Sequence, residues 1–204
     1  NSVFSLTITS AIFPVYWNKQ TKAGIEVLGM HLTDSILFAY CLSFAYIIIA
    51  LINPILSGVA DNSGNKKQFM KAFVYLGALS CFGMYFFDQN HIYIGVITFI
   101  LGSVGYAGSI VFYNAYLPEI ATEDRFDRLS ARGFAMGYIG GVLLLVLNLL
   151  IILMPQLLFD VEAYTQTLWQ THEFASMADA QAKAKSYFAG MSSRIAFVTV
   201  GVWW

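Results

Sequence analysis

Charge is what this sequence has least of. Only 11% of its 204 residues are Asp, Glu, Lys or Arg, against roughly 25% in soluble domains. So few ionic groups cannot keep a globular surface wet. The formal net charge is −1 and no basic tract occurs, so the electrostatic footprint of nucleic-acid binding is missing. Cysteine is scarce too: Cys41 and Cys81 both fall inside apolar runs, where a free thiol behaves as a small hydrophobe, and no disulfide is expected. The histidines, His31, His91 and His172, are scattered over links. No HExxH, GxSxG or phosphate-cradling loop appears, so an embedded enzyme, a metal site and a cofactor all lack the clustered ligands they need. No Asp, Glu, Lys, Arg or His lies in the middle of any apolar run, which leaves no residue here for a proton relay or a charged-substrate clamp. No charged segment precedes the first run, as a signal peptide requires. The chain opens without Met and closes at GVWW, both inside apolar runs, and it reads as a piece of a longer protein.

What is present is apolar length. Hydrophobic residues make up 58% of the chain, gathered into runs that approach or exceed the ~20 residues needed to cross a bilayer as a helix. The expected fold is an all-α membrane protein with about six spans, over 3–17, 35–60, 70–87, 92–117, 133–154 and 195–204, and with the lipid bilayer as its first partner. The first and last spans are truncated. Asn53-Pro54 interrupts the second run, and Pro54 is expected to kink it. Tyr16, Trp17, Tyr93, Trp203 and Trp204 lie near run ends and suit an interfacial belt, with an entry of Trp203 and Trp204 into a solute pathway as the other reading. The DQNH link, 88–91, is so short that the third and fourth helices must be antiparallel neighbours. The long segment 155–194 is expected outside the membrane, with an Ala-rich stretch, 173–191, that suits a surface helix.

Lysine and arginine set the orientation. Lys66, Lys67 and Lys71 follow the second run, and Arg125, Arg128 and Arg132 follow the fourth. These two links share a side, which the positive-inside rule makes cytoplasmic. The opposite side has Lys19 and Lys22, and further charges in a segment too long to count fully.

Two stretches carry motifs. In SGVADNSGNKK, Gly64 permits a tight turn with positive φ, Asp61 can cap a helix end or face a helix N-terminus, and Lys66 and Lys67 hold the link in the cytoplasm. The elbow 112–141 joins the fourth and fifth runs. Tyr113 and Tyr116 share a helix face, Asn114 brings a donor and an acceptor to satisfy, Pro118 ends the helix, and Glu119 pairs with Arg132. These residues fit either interhelical glue or a cytoplasmic gate. Gly133, Gly137 and Gly141 recur every four residues with Gly140 beside them, and Gly102, Gly105 and Ser109 form a looser set; small residues at such spacing let helices approach closely. Asn53 and Asn148 are the strongly polar residues deep in the second and fifth runs. Each must face protein or a water-filled cavity, lining a pathway or gluing helices.

Ser57, Asp61, Gly64, Lys66 and Lys67 resemble the loop signature of the major facilitator superfamily. Ser57 stands where glycine is usual, and Asn62 and Asn65 where basic residues are usual. FYNAYLPEIA and LSARGFAMGYIGG, with NSVFSLTITSAIFPVYW at the start and RIAFVTVGVWW at the end, resemble that superfamily's vacuole-effluxer-like branch. The resemblance covers nearly all of the chain outside 156–193. It implies a secondary transporter of about twelve helices, of which this is the N-terminal half and the missing C-terminal half a partner. It also implies an acidic residue just upstream of Asn1, a small-molecule solute of the amino-acid class, export, and a bacterial inner membrane. A structural membrane scaffold is the alternative.

Overall fold

The computed structural model describes residues 1–21, 25–27, 30–62, 64–171 and 174–204. A π-helical stretch, Phe4–Ile12, runs directly into α1, Phe13–Thr21. A small antiparallel hairpin of β1, Ile25–Val27, and β2, Met30–Leu32, follows. The long helices are α2, Asp34–Asn62, α3, Lys66–Met84, α4, Ile92–Ile120, and α5, Phe126–Leu153. A short α6, Val161–Gln170, precedes α7, Met177–Trp203. Apart from the hairpin the fold is helical, as a backbone that must satisfy itself without water requires.

Several expected boundaries shift. The sixth helix starts at Met177, so the Ala-rich stretch expected on the surface is one continuous helix with the run from Ile195. The fifth starts at Phe126, which puts Arg128 and Arg132 on helix rather than in a link. The fourth runs through Pro118 to Ile120, so Pro118 does not end it. Pro54 likewise sits inside an unbroken α2. By length and apolarity alone, three helical stretches qualify as spans among the described residues: 34–62, 92–120 and 123–153. Of these, 92–120 is the most buried, while 34–62 and 123–153 leave most of their apolar surface uncovered. Lysines at the start of α3 and the polar first half of α7 keep those helices outside that group.

The packing order repeats. α2 packs on α4, as α5 packs on the first helix; α3 packs on α4, as α7 packs on the first helix; and α3 and α7 pack on each other. Helices one to three thus correspond to α4, α5 and α7. Corresponding long helices are three apart in the order, so with successive long helices alternating in direction the second set runs opposite to the first. α6 is an addition that packs on α7, with Phe159 stacked on Phe188 and Tyr164 on Tyr187.

The core is aromatic and lies among α1, α2, α3, α4 and α7. Phe13 stacks on Phe99 with centroids 4.6 Å apart and also meets Phe38, Phe87 and Phe197. Several hydroxyls within the helices donate one turn back, as Ser80 does to the Leu76 carbonyl and Ser103 to that of Phe99, whereas the buried hydroxyls of Thr7 and Ser192 have no partner among the described residues. Close crossings use glycine. A Cβ at Gly105 would lie 2.7 Å from the Gly77 nitrogen, a backbone atom that cannot step aside. Cys41 and Cys81 are free and buried.

Candidate functional site

Each end of the bundle has its own set of polar ties. At the end carrying the α3–α4 link, called here the far end, the Tyr16 hydroxyl donates to the Phe87 carbonyl over 2.9 Å and Trp17 Nε1 donates to the Asp34 carbonyl over 3.1 Å. Arg194 donates to the Tyr85 carbonyl and lies over the Tyr85 ring, 4.9 Å from its centroid. Tyr16 and Trp17 were expected in an interfacial belt, but they are almost fully buried inside the bundle. Their polar tips find backbone carbonyls rather than headgroups. Tyr93 and Trp203, by contrast, are exposed.

The elbow end holds most of the sequence candidates. Lys66, in the first turn of α3, pairs with Glu119 in the last turn of α4 over 2.9 Å and also donates to the Ala115 carbonyl over 3.3 Å. Glu119 therefore has a different partner from the expected Arg132, which lines the same cavity at the elbow. That cavity, of about 800 Å³, is lined by Glu119, Ile120, Thr122, Arg125, Arg128, Leu129 and Arg132 among others. Tyr113 is partly exposed, and its hydroxyl sits 2.6 Å from where a Cβ on Gly133 would stand, which joins α4 to α5. Asn114 is exposed and Tyr116 half-buried.

The loop signature is looser than its motif suggests. Asp61 is exposed in the last turn of α2, and Asn65 precedes α3 without capping it. Gly64 does not adopt a positive φ, and a Cβ there would meet nothing within 4 Å. The link from α2 to α3 does turn at Gly64 and Asn65, without the positive φ that the motif suggested. Ser57 and Lys67 are exposed. Lys22, His172 and Glu173 lie outside the described residues.

The glycines of α5 face different neighbours. A Cβ at Gly137 would meet Ser2 at 2.8 Å, and one at Gly141 would meet Leu6 at 3.0 Å, whereas Gly140 stands an ordinary 3.6 Å from the Trp203 ring. Asn148 is buried, and its side-chain oxygen accepts from Thr199 Oγ1 over 3.0 Å, placing it in the α5–α7 packing. Asn53 is half-buried on α2. Sequence reasoning missed the tie at the start of the chain. Asn1 Oδ1 accepts from Ser109 Oγ over 2.8 Å and from Trp204 Nε1 over 3.0 Å, while the Trp204 ring lies against Gly77 and tilts on Phe4. The one available signal was Gly77 itself, a small residue at mid-helix in α3.

Long apolar helices with uncovered faces, and charge confined to their ends, make this an integral membrane protein. The chain belongs to the vacuole effluxer Atg22-like family, whose model matches residues 14–204. It is similar to a Bacillus subtilis (strain 168) protein described as an uncharacterized MFS-type transporter, YxiO, with 31% identity over 76% of this chain and 36% of that protein. It is also similar to autophagy-related protein 22 of Pyricularia oryzae, with 26% identity over 50% of this chain and 15% of that protein. Autophagy-related protein 22-2 of Penicillium rubens shows 29% identity over 49% of this chain and 16% of that protein. The chain thus spans about a third or less of the curated relatives it matches. No solved structure matches it significantly. The family and the names of these relatives point to transport rather than to an enzyme.

Proposed function

We propose that this chain is the N-terminal six-helix half of a secondary active transporter that exports a small solute of the amino-acid class by alternating access. The observation that carries the reading is the repeated packing order. Two three-helix units of opposite direction, each packing its second and third helices on the other's first, are the inverted repeat nested in each half of major-facilitator transporters. In that arrangement the halves rock about a solute site near the midplane. The uncovered apolar faces of α2 and α5 would meet the C-terminal half and lipid. Lysines and arginines at the elbow end make that end cytoplasmic by the positive-inside rule, in a bacterial inner membrane.

Within this reading, Tyr113, Asn114, Tyr116, Pro118, Glu119 and Arg132 form the cytoplasmic gate region, and the Lys66–Glu119 pair ties the α3 and α4 ends there. Asn53 is the better pathway candidate, since Asn148 already serves the α5–α7 packing. The test is uptake and efflux of a pooled amino-acid and metabolite panel by the full-length protein in proteoliposomes, with and without a pH gradient. A solute that moves, with its apparent affinity changed by Asn53→Ala and not by Asn148→Ala, supports the reading. A protein that moves nothing across a broad panel sinks it in favour of a membrane scaffold.

A further inference from the structure

Of the elbow's four carboxylates, Glu119, Glu123, Asp124 and Asp127, only Glu119 is among the residues that line the cavity, and Lys66 holds it at 2.9 Å. Arg125 has only a loose contact with its sequence neighbour Asp124, at 3.6 Å. Among the described residues, Arg128 and Arg132 make no ion pair. They are four apart on α5, so they lie on one helix face, both exposed and both lining the same cavity. An ~800 Å³ concavity with three arginines and one occupied carboxylate is a site for an anion.

Depth and lining say which kind of anion. Immediately after Arg132 the helix carries no charge through Leu153, and Phe134, Met136 and Ile139 are exposed apolar side chains that suit lipid. Arg128 and Arg132 therefore stand where hydrocarbon gives way to water, the level of lipid phosphates. The cavity wall also includes Ile120 and Leu129, both exposed apolar residues, which a free inorganic ion would leave uncovered. Basic pockets at the ends of spanning helices are suited to anionic headgroups, and the planar guanidinium grips a phosphate with two parallel hydrogen bonds.

We propose that the α4–α5 elbow is a binding site for the phosphodiester of an anionic phospholipid, gripped by Arg125, Arg128 and Arg132 with its glycerol end against Ile120 and Leu129. The inference rests on the membrane reading but not on transport.

The test uses the full-length protein in nanodiscs of phosphatidylcholine containing a minor fraction of phosphatidylglycerol, with co-purified lipid counted by native mass spectrometry after mild delipidation. The wild type is expected to retain phosphatidylglycerol selectively. Arg128→Gln/Arg132→Gln should retain it roughly thirtyfold less well, and Arg128→Lys/Arg132→Lys, which keeps the charge and loses the planar fork, should fall between the two. Inorganic phosphate at millimolar concentration should not displace the lipid. Equal retention by wild type and the glutamine double variant overturns the proposal. So does displacement by phosphate without any preference over phosphatidylcholine, which would make the site one for small anions. Should the glutamine double variant not fold, Glu119→Gln carries the test. It removes the cavity's negative charge and should raise retention about fivefold; unchanged or lowered retention overturns the proposal equally. Because lipid retention is read without any solute, its failure and that of the transport reading are distinguishable.

Discussion

At the far end, Tyr16 and Trp17 bury their rings and donate to the carbonyls of Phe87 and Asp34. At the elbow end, the corresponding tie is a charge pair, Lys66 to Glu119, with the carboxylate 46% exposed. The first kind of tie works in a low dielectric, where neutral hydrogen bonds are strong and salt does not reach them. The second is open to water and counter-ions and is worth little. The two ends are therefore closed by different physics, and the elbow end should yield first when ionic conditions change.

The largest effect should come from the far-end core. Phe13→Ala removes a ring packed on Phe99, Phe87 and Phe197, and should cost about 3–5 kcal/mol, read as a lower unfolding temperature in detergent. A loss under about 1 kcal/mol would mean that the aromatic cluster is not what holds this end. Tyr16→Phe keeps the ring and strands the Phe87 carbonyl, at a cost of about 1–2 kcal/mol that does not change with salt. Glu119→Gln should cost less than about 1 kcal/mol in dilute buffer and almost nothing in molar salt. If the salt responses of these two variants came out reversed, the contrast between the ends would collapse.

The smallest effect should be acid-dependent and local to the far-end link. Asp88 accepts from the Asn90 and His91 backbone N–H groups and from the His91 ring. Slight desolvation pushes its carboxyl up, but those hydrogen bonds outweigh it and hold the group below its usual range. Since the folded value lies under the unfolded one, roughly 3.9 for a free Asp, the stabilisation is complete above that pH. It is lost as pH falls through the folded value. Unfolding temperatures of wild type and Asp88→Asn should therefore differ at about pH 5 and converge as pH falls below about 4. A gap that stayed constant down to pH 3 would show that the carboxylate contributes nothing.

The helices were legible because their signal is local: an uncharged run such as 35–60 can do little else in lipid. The partners were not legible, because partnership is decided across the bundle. Glu119 and Arg132 line one cavity, but α3 brings Lys66 to the carboxylate. Tyr16 and Trp17 look like belt residues by position, and only the packing of α1 against α2, α7 and the α3–α4 link turns them inward. Boundaries failed where polarity was mistaken for a helix end. Arg128 and Arg132 begin α5, and the Ala-rich stretch begins α7, because a helix leaving the membrane has no reason to stop at the headgroups. Gly64 failed in the opposite sense: its motif suggested a tight turn with positive φ, and the chain turns there without one.

The glycines divide the surface for anyone wishing to attach a probe. At Gly105 an added Cβ would meet the Gly77 backbone at 2.7 Å, and at Gly201 the Ala78 carbonyl at 2.9 Å, so a cysteine at either position would report on a damaged bundle. Gly58, in the last turns of α2, and Gly64, in the link from α2 to α3, have nothing within 4 Å. The native thiols, Cys41 and Cys81, are buried. A single cysteine at Gly58 or Gly64 would therefore carry a fluorophore or spin label at the elbow end with little background, a vantage point from which opening of that end could be watched in real time.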